Sequence, residues 1–211
     1  MERQGILAVV SGFSGAGKGT LMDLLMKKYD NYALSVSATT RDPRPGEKDG
    51  VQYFFKTRQE FEEMIRQDAF IEYAGYVDHY YGTPRAYVEE QLRKGKDVIL
   101  EIEVQGALEV KKKFPDTLLL FLTPPSAEEL ERRLTGRGTE TGEAIESRLA
   151  RAAEESEFMG EYDYIVINDD LEECADNVHR LIQLQHQTSG SESEFMQKIQ
   201  KELRERKEKR G

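Results

Sequence analysis

The sequence predicts an α/β protein in which a parallel sheet is flanked by helices and interrupted by two inserts. Three observations predict it. Short apolar runs alternate with helix-length amphipathic segments along most of the chain, the pattern of strands covered on both faces. A glycine-rich turn separates the first such run from the first helix. The alternation then breaks at residues 37–83, which read as locally β-rich, and at 126–154, which read as helical.

Taken in order, ILAVVS (Ile6 to Ser11) is a buried strand ended by Gly12, and Lys18 to Tyr29 is a helix with Leu21, Leu24, Leu25 and Lys28 at core-like spacing. Ala33 to Val36 is a short strand, followed by a polar stretch rich in Arg, Pro and Gly to Gly50. VQYFF and FIEYAGY are strand candidates on either side of a helix opened by Thr57 and Glu60, a capping-box pair. Thr83 and Pro84 read as the N-cap and first residue of the next helix, with Gly95 as its stop. Asp97 to Ile102 is a strand, Gly106 to Phe114 a helix, and TLLLFLT (Thr117 to Thr123) an uninterrupted apolar strand. Ser126 with Glu129 opens a helix to about Leu134. A Gly/Thr-rich hinge and a charged helix to about Phe158 follow, then the strand YIVI (Tyr164 to Ile167) and a last core helix from Asp170. This divides the chain into a core (1–36, 84–125, 155–187), two inserts (37–83 and 126–154) and a charged tail (188–211).

Composition narrows the function. Forty acidic against 30 basic residues give a net charge of −10, which argues against a general nucleic-acid binder. No apolar run approaches the ~20 residues that span a bilayer, and MERQG lacks a signal-peptide pattern. A lone cysteine, Cys174, excludes an internal disulfide and fits a reducing, cytoplasmic setting as a structural thiol. His79, His179 and His186 are scattered and read as structural or exposed. No Cys–His or Ser–His–Asp set suggests nucleophilic catalysis.

The chemistry concentrates at GFSGAGKGT, residues Gly12, Phe13, Ser14, Gly15, Ala16, Gly17, Lys18, Gly19 and Thr20. A strand, then G-x-x-x-x-G-K, then a helix is the context of a phosphate-binding loop. Its glycines let backbone N–H groups turn toward an anion, the helix N-terminus adds a positive dipole, and Lys18 reaches the β- and γ-phosphates. Gly19 stands where such loops usually carry Ser or Thr. A hydroxyl toward Mg²⁺ therefore comes from Thr20, directly or through water. In SVSATTRDPRPGEKDGVQYFF, Arg41 and Arg44 lie three apart near hydroxyls and Tyr53, which suits a terminal phosphate monoester. Taken alone, the two arginines also fit a solvated basic loop, and Glu72 a surface strand carboxylate.

Several separated motifs together are more specific than any one: GFSGAGKGT, SVSATTRDPRPGE, FIEYAGYVDHYYGTP, ILEIEVQGA, RLTGRGTET and IVINDD. Over about residues 5–187 the chain resembles the guanylate kinases, which phosphorylate GMP with ATP. The resemblance implies a P-loop NTPase core with a small β-rich GMP-binding insert and a helical lid. It implies ATP and GMP or dGMP as substrates, with Mg²⁺ accompanying ATP. It places the GMP phosphate against Arg41, Arg44, Tyr53 and Tyr81, and guanine against Ser37, Glu72, Thr83 and Glu103. Lys18, Arg44, Arg137 and Arg148 correspond to the catalytic positions, with Arg133 nearby, and Asn168 to a position beside the adenine of ATP. Glu103 departs from the family, which usually carries aspartate there. Guanylate-kinase-like scaffold modules, which bind peptides, are the rival class; their phosphate loops are degraded, whereas Lys18 and the glycines are intact here. An adenylate kinase shares the GKGT spelling, but the Arg41–Tyr53 stretch and Glu72 argue against it.

The tail turns from TSGSESE to the charged EFMQKIQKELRERKEKR. Phe195, Met196, Ile199 and Leu203 at helical spacing fit an oligomer contact, a docked helix or a solvated helix that frays. Monomer and homo-oligomer both remain open.

Overall fold

A computed structural model describes residues 4–76, 78–136, 142–187 and 193–208. The described residues form two sheets. The larger is wholly parallel, in the order β2-β7-β1-β8-β9, built from β1 (Leu7–Gly12), β2 (Tyr32–Leu34), β7 (Asp97–Glu101), β8 (Leu118–Thr123) and β9 (Tyr164–Ile167). Its three central strands carry the densest apolar runs. Ala8 to Val10, Val98 to Leu100 and Leu118 to Leu122 are all buried, as strands covered on both faces require. Helices α1 (Lys18–Lys28), α3 (Arg85–Arg93), α4 (Val104–Lys113) and α7 (Leu171–Gln185) alternate with these strands.

The smaller sheet runs β4-β3-β6-β5, from β3 (Ala38–Thr39), β4 (Phe54–Phe55), β5 (Phe70–Tyr76) and β6 (His79–Pro84). Helix α2 (Arg58–Arg66) packs against it through Phe61, whose ring stacks on Phe70 and Tyr80. The expected capping box at Thr57 is present in both directions: the Thr57 hydroxyl accepts from Glu60 N, and Glu60 accepts from Thr57 N. Helices α5 (Ala127–Thr135) and α6 (Gly142–Ser156) form the helical excursion, with Ser126 capping the first.

Four expectations need correction. The start of α3 lies one residue later than expected: its first residue is Arg85 and its N-cap Pro84, while Thr83 and Pro84 also close β6. Thr83 pairs with β5 and its hydroxyl goes to Glu72 instead of capping. Second, the polar stretch after Val36 contains β3, whose two residues are too few to show periodicity. Third, α4 begins at Val104, two residues before Gly106, which makes Glu103 its N-cap. Fourth, the buried core positions of α1 are Leu21, Met22 and Leu25, with Leu24 partly buried against the core, while Lys28 stays outside and pairs with Glu172 and Asp176 of α7. The tail forms α8 (Ser193–Glu208), whose Phe195 and Leu203 are about 60% exposed.

The sheet end opposite the glycine-rich turn is held by Asp97, a buried carboxylate at the start of β7. Its Oδ1 accepts from Ile6 N (2.9 Å) and His186 Nε2 (2.7 Å), and its Oδ2 from Asn31 Nδ2 (3.0 Å) and Gln183 Nε2 (2.8 Å). One side chain thereby joins β1, the turn before β2, β7 and α7. Asp97→Ala leaves these buried and part-buried donors without an acceptor, and urea unfolding should show a loss of about 3–5 kcal/mol. An unfolding midpoint equal to that of the parent would contradict this role.

Candidate active site

The site grows from the C-terminal end of β1. Gly12 has φ 150°, and a Cβ there would lie 2.0 Å from Leu122 O on the neighbouring β8. No side chain fits. The loop then turns through Gly17, the N-cap of α1, in the left-handed region at φ 93°. Beneath it Asn168 donates from Nδ2 to Ala16 O at 2.8 Å in a buried bond. The first turn of α1 carries no acidic residue, so the positive end of its dipole is not neutralised locally. Lys18 Nζ folds back onto the loop, donating to Gly12 O (2.7 Å) and Phe13 O (3.1 Å).

Two arginines approach the loop from α5 and α6. Arg148 Nη1 donates to Ser14 Oγ at 2.8 Å. Arg133 pairs with Glu129 and donates through Nη2 to Asn168 O at 2.9 Å. Arg137 lies outside the described residues. Asn168 thus meets the loop from below, 5% exposed. Gly19 is exposed with nothing within 4 Å of a built Cβ, so its departure from Ser or Thr is not imposed by space; Thr20 is exposed as well.

The second cluster gathers on the small sheet. Arg41 stacks over Tyr53 at 5.4 Å from the ring centroid, and Tyr53 and Tyr81 meet edge-on at 6.1 Å. Glu47 grips this loop. It takes a bidentate pair from the Arg41 guanidinium (3.0 Å each) and the Arg44 backbone N–H (2.7 Å). Arg41 first, then that N–H, holds the Glu47 carboxyl below the usual range. The Arg44 guanidinium is exposed and makes no hydrogen bond among the described residues.

A third group lies where β5, β6 and the start of α4 meet. Glu72 accepts from Thr83 Oγ1 at 2.7 Å, and burial pushes its carboxyl above the usual range; the nearby charge of Glu103 adds to that push. Glu103 is exposed and accepts from Arg151 Nη2 of α6 at 2.7 Å. Ser37 is half-buried and its carbonyl accepts from Phe54 N, joining β3 to β4.

Sequence reasoning missed three acids and bases here. Glu47 is the partner that shapes the arginine loop. Glu101 ends β7 opposite Val10 of β1; burial raises its carboxyl pKa while the Lys18 charge opposes the rise. Its signal was available, an acid at the C-terminal end of a strand, but only the pairing of β7 with β1 gives it meaning. Arg151 had no local signal. Cys174 is buried with its thiol pushed up to about 11, as a structural thiol should be. His179 stacks on Tyr29 at 3.7 Å and His186 serves Asp97, so both are structural. Among the described residues no cluster of three or more His, Cys, Asp or Glu suits a metal ion, and no helix is long and apolar enough to cross a membrane.

The family model described as guanylate kinase matches residues 4–185. The chain belongs to the guanylate kinase family. It is accordingly an ATP:GMP phosphotransferase, a nucleoside monophosphate kinase. The chain is 55% identical over 186 residues to the guanylate kinase of Lactococcus lactis, covering 88% of this chain and 91% of that one. It is 54% identical over 187 residues to that of Streptococcus pneumoniae, covering 88% and 90%. A crystal structure of guanylate kinase from Anaplasma phagocytophilum superposes with a TM-score of 0.69 at 32% identity, covering 89% of each chain. That structure also supports the P-loop α/β fold of this guanylate kinase family member.

Gly17 and Gly19 give a direct test of the loop geometry. Gly17→Ala is strained at φ 93°, and its Cβ would lie 2.6 Å from Asn168 Nδ2. At about 1–3 kcal/mol of strain it should lower Tm by several degrees. Gly19→Ser should leave Tm at or above the parent value, because space is open there and serine is a better helix former. Equal melting of all three proteins would refute the geometry.

Proposed function

We propose that the phosphate loop with Lys18 holds the ATP triphosphate, that Arg41, Arg44, Tyr53 and Tyr81 take the GMP phosphate, and that Ser37, Glu72, Thr83 and Glu103 read guanine. The observation that carries this reading is the contact of Arg148 with Ser14, which brings a cation from α6 onto the phosphate loop. Phosphoryl transfer passes through a loose transition state with charge spread over its oxygens, so positioning and neutralisation supply most of the catalysis. Lys18, Arg148 and Arg137 are the groups for that charge, with Arg133 steadied beside them by Glu129 and the Asn168 carbonyl. The acceptor phosphate is already a nucleophile, and no general base is required.

Guanine offers N1–H and N2–H₂ as donors and O6 as acceptor. Glu72 suits the donors. Thr83 already gives its hydroxyl proton to Glu72, which leaves Ser37 as the hydroxyl for O6. Adenine presents an acceptor at N1, facing a carboxylate lone pair, and a mismatch of that kind typically discriminates by ~10⁴ or more. The Arg41 fork is occupied by Glu47, so a phosphate dianion has to draw it away or share it.

Mg²⁺ fits the residues present, since it keeps waters and phosphate oxygens and needs only one or two protein groups. Thr20 and Glu101 are the candidates beside Lys18. Bound there, the ion would neutralise charge on the β- and γ-phosphates. Net charge −10 argues against nucleic acid as a partner, so anions are bound only where cations are gathered, and the single buried thiol suits a cytoplasmic setting. Closure of α5, α6 and the small sheet over both nucleotides would exclude water, which otherwise hydrolyses ATP.

Lys18→Met tests the assignment. It should cut kcat by ~10² or more while GMP binding survives, because a contact to developing charge is lost on the ATP side. An unchanged kcat in the folded variant would reject it. A pH series tests Glu72. Its raised pKa means that it protonates earlier on acidification than an ordinary glutamate, and the protonated acid loses acceptor capacity. KM for GMP should therefore climb as pH falls. A phosphate monoester also titrates near pH ~6, so Glu72→Gln is the reference: the parent should show an additional rise that this variant lacks. Parallel pH profiles for the two would remove Glu72 from guanine recognition.

A further inference from the structure

Glu103 occupies the N-cap position of α4, where a carboxylate would ordinarily turn inward and accept the free N–H groups of the first turn. It does not: its side chain makes no capping bond. The carboxylate reaches outward instead to Arg151 Nη2 on α6, 2.7 Å from Oε2. Arg151 is itself fixed, because its Nε donates to Glu155 Oε1 at 3.0 Å. Three residues earlier on the same helix, Arg148 donates to Ser14 of the phosphate loop. Residues three apart share a helix face. One face of α6 therefore touches the ATP loop with one arginine and the guanine-side carboxylate with another.

We infer that Arg151 is a positioning residue for guanine recognition, holding the Glu103 carboxylate from α6 and so linking the placement of that helix to capture of the base. The inference rests on the reading that Glu103 faces guanine. A carboxylate has about four lone-pair positions. Arg151 uses Oε2, and Oε1 accepts no hydrogen bond among the described residues, so it is available to N1–H or N2–H₂. Glutamate carries more rotamer freedom than aspartate, and fixing it for a ligand costs affinity. Arg151 removes that freedom before GMP arrives. Arg151 also neutralises one of two neighbouring carboxylates, since Glu72 and Glu103 are close enough for the charge of one to disfavour ionisation of the other. Exposed ion pairs of this kind contribute little to stability. The value of the pair lies in what it places.

Steady-state kinetics and calorimetry on the full chain decide the matter. Arg151→Ala should melt with the parent, raise KM for GMP by roughly 3–10-fold and leave kcat within about twofold. It should also weaken the mutual enhancement between GMP and a non-hydrolysable ATP analogue in binding. Arg151→Lys, which keeps one charged donor, should recover part of the loss. Glu103→Asp, a methylene too short for Arg151, should show a similar modest rise, and the double variant should be no worse than either single one. An unchanged KM for GMP with intact enhancement in Arg151→Ala overturns the inference, as does full additivity in the double variant. A lower KM overturns it too, since Arg151 would then compete with the base. Glu103→Ala separates the two levels. If it leaves KM for GMP unaltered, Glu103 does not read guanine and the inference falls with that reading. If it raises KM for GMP while Arg151→Ala does not, only the role of Arg151 is lost.

Discussion

The site depends first on how closely two parallel strands approach at Gly12. With 2.0 Å between a built Cβ and the Leu122 carbonyl, the end of β1 can lie beside β8 only as bare backbone. That approach sets where the chain leaves the sheet and the direction in which the loop enters α1. Gly17 and Asn168 fix the other end of the turn: the left-handed residue leaves room for the amide, and the amide pins the Ala16 carbonyl. Lys18 is carried at the first position of α1 and inherits its place from both. The loop is therefore shaped by strand packing and by one buried asparagine, and its cationic groups are laid over a frame that is already rigid.

Over that frame most of the cations share a second property, the exposed Arg44 guanidinium apart. Lys18 rests on the Gly12 and Phe13 carbonyls, Arg41 on Glu47, Arg133 on Glu129 and Asn168 O, and Arg148 against Ser14. A chain of net charge −10 has ample acid with which to hold its arginines in place. Side chains ordered in this way lose less conformational freedom on meeting a ligand than solvated, freely rotating ones.

How far the sequence revealed this differs from residue to residue. The strand–loop–helix around Lys18, the Thr57 capping box and the apolar strands were legible because their causes are local. Thr83 and Pro84 marked the start of α3 to within one residue, but pairing with β5 and the bond to Glu72 took Thr83 from the cap. β3 was invisible, since two residues have no period. Glu47, Glu101 and Arg151 were missed for a common reason: a charged residue in a charged sequence looks solvated until the fold supplies its partner. Arg151 and Glu103 stand 48 positions apart, and nothing along the chain joins them.

The Asp97 junction has a consequence in time. Its carboxylate is buried early in the sheet, yet the histidine that completes its shell is 89 residues further along. At ~5–20 residues per second, a nascent chain needs roughly 4–18 s after Asp97 is made before His186 exists. Throughout that interval β7 cannot settle between β1 and β2 without leaving a buried acceptor short of donors. The full donor shell of Asp97 is thus completed only once the last core helix has been synthesised.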